Sequence, residues 1–525
     1  MSSTLILIII LAYFVLLLGV AFYTSRNSNN DSFFIGNRSS NWMLVAFGMI
    51  GTSLSGVTFI SVPGTVGKMT TGAYPYGAFE YYMLVVGFFI GYFVVAGILL
   101  PLYYRMNLTS IYTYLGKRFN TEAHKIGSIF FIISRGIGAT ARLYLVVNVL
   151  QIFLLEQMGV PFWVTAAVLL LMVLLYTFEG GVKTIVITDT LQTSFMILSL
   201  VACIGFILSK MDLSMGQAFS QLADRDYTRV LNLNPNSKTF FLKTILGGMF
   251  ITIAMTGLDQ EMMQKNISVN NVKNAKKNMI TFSFTLLVVN LAFLFLGGLL
   301  YLYAQKEGGF YTDPGFVLAE GGPNVMGDDL FPALSLQGHF PGIITIIFVI
   351  GLISALFPSA DGALTAVTSS FCVDILNFKT QAHHKDGTAL IPEKDQAQEE
   401  KRKKKIRMGV HLTFTVLFFI LIMIFKAINN KGIVYLIMEV AGYTYGPLLG
   451  LFAFGIFTKR AIAQRYSILA VTLLAPVLTY LINHLISTYT VYQFGVELII
   501  LNGLITFLGL YAVSRKGNYQ TAVSL

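Results

Sequence analysis

Apolar runs of about twenty residues, each closed by a short polar stretch, recur from one end of this chain to the other. The first, TLILIIILAYFVLLLGVAFYT (Thr4–Thr24), contains no charged residue, and a helix of that length crosses a bilayer core of roughly 30 Å. Comparable segments fall at 3–24, 43–66, 76–104, 127–155, 161–177, 184–209, 239–258, 279–305, 340–376, 408–428, 432–457, 462–484 and 490–513. The pattern predicts an all-α polytopic membrane protein of about 13 transmembrane helices. A β-barrel needs short alternating strands, which these continuous runs exclude.

Composition sharpens this. Of 525 residues, 55% are hydrophobic and 12% charged, with a mean hydropathy of +0.70; soluble domains carry about a quarter charged residues. Once the spans are removed, no soluble domain of useful size remains. Cys203 and Cys372 both lie in apolar segments, which argues against a disulfide framework or a metal site. The first run has no basic residue before it, so it reads as a retained helix with its N-terminus outside.

The net charge of +11 raises the question of nucleic acid, and the placement of the charge answers it. With the N-terminus outside, Lys and Arg concentrate in inward-facing loops, above all Asn377–Arg407 with its EEKRKKKIR. That bias orients a membrane protein and puts the C-terminus inside; a nuclear signal or a lipid-binding patch is the alternative use of the basic run. The outward loops at 211–238 and 306–338 suit a cover over a vestibule. Sequons at Asn37, Asn107 and Asn266 fall in loops read as cytoplasmic, so glycosylation is not expected.

Two segments carry unusual chemistry. GMIGTSLSGVTFISVPGTVG (Gly48–Gly67) combines five glycines, a proline and many hydroxyls. It reads either as tight small-residue packing or as an interrupted helix whose freed carbonyls ligate a cation. GLISALFPSADGALTAVTSSFCVDIL (Gly351–Leu376) places Asp361 inside a span, with Ala355 and Ser359 on one helix face and Pro358 freeing a carbonyl one turn back. Hard cations such as Na⁺ want such oxygens. Charges in hydrocarbon mark candidate sites; here they are Glu80, Arg135, Arg142, Asp189, Lys243, Asp361 and Glu439, with Asp259 at the cytoplasmic end of its span. Structural ion pairing, or snorkelling for Lys243 and Arg135, is the plainer account of several of them.

The chain resembles the sodium/solute symporters. The motifs are TSLSGVTFISVPG in the second span, EGGVKTIVITDTLQ entering the sixth, GLDQEMMQK closing the seventh and GYTYGPLLGLFAFGIFTKR in the eleventh. The resemblance implies a LeuT-like 5+5 inverted repeat core. It divides the chain into an extra N-terminal helix and loop (1–42), a first five-helix repeat (43–210), an extracellular loop (211–238), a second repeat with the basic loop 377–407 (239–457), and peripheral helices and tail (458–525). It further implies a Na⁺ site built from the carbonyls of Gly51, Leu54 and Ala355 and the hydroxyl of Ser359. Pro358 stands where the family usually adds another hydroxyl.

Asp189 matches an aspartate associated with a second sodium site in some relatives, whose hydroxyl partners fall at Asp361 and Gly362 here. Asp361 is therefore expected to face Asp189, the two holding a cation or sharing a proton. Substrate contacts carried over are Ser55, Thr58, Glu80 and Arg142, the last suited to a carboxylate; pairing of Arg142 with Glu80 would instead leave a neutral sugar open. Asp259 is expected to gate or to support structure.

The expected function is sodium-coupled symport of a small organic solute (a sugar, sialic acid or other organic anion) across the cytoplasmic membrane by alternating access. No nucleic acid and no obligate protein partner are expected. Proton coupling on the same fold is the alternative. A channel is less favoured because no repeated polar ring is visible. An enzyme is disfavoured because His124, His339, His383, His384, His411 and His484 are scattered without a catalytic motif.

Overall fold

The computed structural model describes residues 3–25, 33–34, 36–67, 76–306, 327–378, 393–428, 433–462 and 466–516. The main helices are α1 (Ser3–Ser25), α2 (Trp42–Ser53), α3 (Gly56–Gly64), α4 (Tyr81–Arg105), α5 (Thr121–Met158), α6 (Phe162–Met211), α7 (Phe241–Gly257), α8 (Gln260–Ile267), α9 (Val272–Lys306), α10 (Gly342–Ile375), α11 (Glu393–Ile428), α12 (Ile433–Thr444), α13 (Gly446–Phe457), α14 (Ser467–Tyr489) and α15 (Leu498–Val513). Among the described residues, eight helices are long and apolar enough to cross a membrane, or up to eleven if each bent pair is one span. Two shorter apolar helices, Phe162–Phe178 and Leu498–Val513, stand beside them.

Three pairs are bent at a short break: α2 with α3 by 53°, α7 with α8 by 63°, and Leu436–Thr444 with α13 by 43°. The interrupted-helix reading of Gly48–Gly67 thus holds. Leu54 and Ser55 leave the helical region (ψ 73° and −179°) before α3 restarts at Gly56. Past 258, where the seventh apolar run closes, the chain turns at Asp259 into a second short helix. Asp259 accepts hydrogen bonds from the N–H groups of Glu261 (2.9 Å) and Met262 (3.3 Å), capping a second half-helix. All eight residues of α8 are buried although five of them are polar or charged, which is why hydropathy alone placed them in a loop.

The segments 161–177 and 184–209, read as separate, are two helices, Phe162–Phe178 and Thr184–Met211, on either side of a kink and carried here under the one label α6. The kink is at Gly181, whose φ of 54° and ψ of −154° suit glycine; a Cβ there would run into the backbone of Phe33. His411, near the start of the apolar run 408–428, lies well inside α11, which begins at Glu393, and is buried between Thr177 (3.0 Å) and Thr368 (2.9 Å).

The bundle is organised around α10 against α6 and α7 against α4, with α2, α5 and α9 closing the centre. The best-enclosed spans are α5 and α10, whereas α1 and α14 keep most of their surface outward. Val15, Phe22, Leu473 and Leu474 on those two helices are exposed, as lipid-facing positions should be. Polar side chains collect inside instead, and each such group must find a partner where water is absent. Cys203 and Cys372 are free and buried.

Candidate functional site

The break between α2 and α3 is where the interior becomes polar. Across it, Leu54 N–H reaches Ile50 (2.7 Å) and Phe59 N–H reaches Ser55 (3.1 Å). Among the described residues, no backbone N–H beyond the helices takes the carbonyl of Gly51 or Leu54. Helix α10 passes alongside. A Cβ at Gly51 would run into the hydroxyl of Thr193 on α6 and would lie in ordinary contact, 3.5 Å, with the Pro358 ring of α10, so glycine is what lets α2 approach Thr193 this closely. The Ser359 hydroxyl donates to the Leu356 carbonyl (2.9 Å), which leaves its lone pairs available. Thr193 Oγ1 is buried and makes no hydrogen bond among the described residues. The fold thus brings Gly51 to α10 beside Pro358, the residue preceding Ser359, and adds Thr193, which sequence reasoning missed.

On the other side of the break lies a cavity lined by Ser55 and Thr58, by Tyr81, Phe88 and Tyr92 of α4, by Arg135 and Arg142 of α5, and by Thr252 and Thr256 of α7. Ser55 does not cap α3 with its side chain, so the first N–H groups of α3 are left open to partners from the cavity. Three of the four anticipated solute contacts are here. Glu80 is not. Its carboxylate is held by Arg229 (3.0 Å) and by the Thr239 hydroxyl (3.0 Å), so the pairing with Arg142 does not form. Asp259 and Glu261 are drawn instead to Arg135, Asp259 at 3.9 Å and Glu261 in direct contact. The Tyr445 hydroxyl donates to Asp259 (2.8 Å). Among the described residues no carboxylate forms an ion pair with Arg142. Lys243 lies away from this centre, over the Tyr492 ring (3.5 Å) and 3.9 Å from Glu497.

A third polar cluster surrounds Asp189, where the expected partner was Asp361. The two carboxylates lie close enough to act on one another electrostatically, yet their hydrogen bonds go elsewhere. Lys265 donates to Asp189 (2.7 Å) and Thr52 (2.6 Å), while Tyr176 donates to Asp361 (2.6 Å). Lys265 was read as part of an inward loop. Its spacing four residues after Glu261, in a motif already singled out, was the available signal.

Residues 33–465 match the sodium:solute symporter family. The chain belongs to that family. It is 24% identical over 457 residues to the sodium/sialic acid symporter SiaT of Proteus mirabilis, covering 85% of this chain and 83% of that one. With the sodium/sialic acid symporter NanT of Aliivibrio fischeri it shares 23% over 470 residues, covering 88% and 85%. The human sodium/iodide cotransporter is 23% identical across 81% of this chain and 61% of its own. In structure the chain resembles a Na⁺-coupled sialic acid symporter in a substrate-bound outward-open state, at TM-score 0.76 and 20% identity over 97% and 98% of the two chains. A nucleobase-cation-symport-1 family transporter in a closed conformation follows at TM-score 0.55 and 11% identity, over 93% and 95%. The fold is that of LeuT-like Na⁺ symporters, and Na⁺ is the coupling ion of this family.

Proposed function

We propose that this protein couples Na⁺ entry to uptake of a small organic anion, with the anion's carboxylate held by Arg142. The observation that carries the anion is a guanidinium with no ion pair among the described residues: Arg142 lines the cavity while the neighbouring carboxylates are engaged by Arg135, Lys265 and Arg229. A planar guanidinium fork matches a carboxylate bidentately. The open N–H groups at the start of α3, with Ser55 and Thr58, add donors and a favourable helix end for the same charge. Tyr81, Phe88 and Tyr92 supply an apolar wall for the remainder of the solute.

Na⁺ binds in this reading between α2 and α10, to the carbonyls of Gly51, Leu54 and Ala355 and the hydroxyl of Ser359, with Thr193 as a further oxygen. The close approach of Gly51 to Pro358 and the unbonded Thr193 hydroxyl support it. The ion then joins the first repeat (43–210) to the second (239–457) next to the solute cavity. Binding of ion and solute strengthen each other by the same factor, and alternating access carries both inward across the plasma membrane, with the N-terminus outside and the C-terminus inside.

Uptake into proteoliposomes tests this directly, using a panel of sialic acids, monocarboxylates, amino acids and neutral sugars under an inward Na⁺ gradient. The expected result is accumulation of a carboxylate-bearing solute that stops when choline replaces Na⁺. Accumulation of neutral sugars in preference, or indifference to choline, would overturn the anion or the ion assignment respectively. Uptake driven by a proton gradient without Na⁺ would favour proton coupling instead.

A further inference from the structure

Asp189, expected to help bind a second cation, already has one. The ammonium of Lys265 lies 2.7 Å from Asp189 Oδ2, 2.6 Å from Thr52 Oγ1 and 3.7 Å from Glu261 Oε1. All four residues are buried, Lys265 at 3% exposure being the most accessible of them. A carboxylate and a hydroxyl converging in a dry interior are the oxygens a sodium ion would use. Here they converge on a nitrogen.

The neighbouring space is filled from the same helix. Gly362 leaves room beside Asp361, and that room holds the Glu261 carboxylate: a Cβ at Gly362 would collide with it. Glu261 and Lys265 are one turn apart on α8, so a single half-helix delivers both charges to the region. The other charged groups facing it are engaged: Glu261 with Arg135, Asp259 with Tyr445, and Asp361 with Tyr176. Asp189 Oδ1 makes no hydrogen bond among the described residues.

We propose that the Lys265 ammonium is the built-in cation of this second site, so that one free Na⁺, rather than two, binds to the protein. The proposal deepens the symport reading above and rests on it only for the first Na⁺. A tethered ammonium neutralises Asp189, repels a second cation arriving at the same oxygens, and ties α8 to α6 and α2 as an ion would. Unlike an ion, it cannot be released to the other side. Net transport therefore gains no charge from this site.

Equilibrium binding of radioactive ²²Na⁺ to the purified full-length chain in detergent decides the matter. The expected count is one Na⁺ per wild-type chain and two for Lys265→Ala, with the added ion replacing the lost ammonium. Two in the wild type, or one in both proteins, overturns the proposal. None in the wild type with one in Lys265→Ala would sustain the Lys265 assignment while sinking the Na⁺ site between α2 and α10. Should Lys265→Ala fail to fold, Asp189→Asn serves: an unchanged count of one supports the proposal, and a fall to none overturns it, because Asp189 would then have been holding the bound ion.

Discussion

The ammonium of Lys265 and the carboxylate of Asp189 stand 2.7 Å apart in the interior, joining residues separated by 76 positions in the chain. Neither group gains from being dehydrated. Burying each costs several kcal/mol, and their attraction offsets this only because the geometry is close and Thr52 adds a further hydrogen bond. The pair locks the half-helix α8 against α6. With Arg135 on Glu261 and Tyr445 on Asp259, it holds a polar segment inside a bundle that would otherwise expel it.

Breaking this cluster should therefore cost far more than breaking an ion pair at the surface. Glu261→Ala leaves Arg135 in the interior with only the longer contact to Asp259, and should lower stability by about 3–5 kcal/mol. Arg229→Ala removes a half-exposed partner of Glu80, whose carboxylate keeps Thr239, and should cost about 1 kcal/mol or less. Thermal unfolding of the two variants in detergent makes the comparison; equal losses would mean that the interior charges do not anchor α8.

Gly51 is required for close approach, so adding one methyl group should be felt at the ion site. Gly51→Ala should weaken apparent Na⁺ affinity by about tenfold or more, equivalent to ~1.4 kcal/mol, because the Cβ runs into the Thr193 hydroxyl and displaces it or α2. Gly205→Ala, where nothing lies within 4 Å of the new carbon, is the control and should behave as wild type. Na⁺ activation of uptake measures both.

Ser359 and Thr193 should lose function in the same way if both present oxygens to Na⁺. Ser359→Ala and the nearly isosteric Thr193→Val should each reduce Na⁺ affinity by about tenfold or more, again ~1.4 kcal/mol, with normal expression and normal unfolding temperature in the absence of Na⁺. Thr193 loses no hydrogen bond on substitution, so a drop in sodium-free stability instead would assign it to packing.

Arg142 should separate solute from ion. Arg142→Gln removes the charge, and Arg142→Lys keeps it without the planar fork. Both should raise the solute concentration for half-maximal uptake by about 100-fold, ~2.7 kcal/mol, while leaving ²²Na⁺ binding in the absence of solute unchanged. Equal loss of ion binding in both variants would place Arg142 in the structural scaffold rather than in the solute site.

Much of this was legible beforehand. The long apolar runs announced a helical membrane protein, and the glycines and hydroxyls in Gly48–Gly67 marked a segment that was either tightly packed or interrupted, of which the structure shows the interruption, at Leu54–Ser55. Ser55, Thr58 and Arg142 do line one cavity. Glu80 was misplaced because a carboxylate's partner is chosen by tertiary approach, and Arg229 arrives from a loop that no pattern ties to it. Lys265 was missed because an eight-residue polar segment reads as loop wherever hydropathy is summed along the chain.

What the amino-acid order determines alone is the solvent each segment prefers, since hydropathy is summed over contiguous residues and an interrupted run betrays itself locally. Which charge meets which was decided by the packed bundle. An ion pair depends on distances of a few ångströms between groups far apart in the chain, and burial turns each such choice into a difference of several kcal/mol. The folding of α8 into the interior placed the Lys265 ammonium on the Asp189 carboxylate, a contact that no local pattern announced.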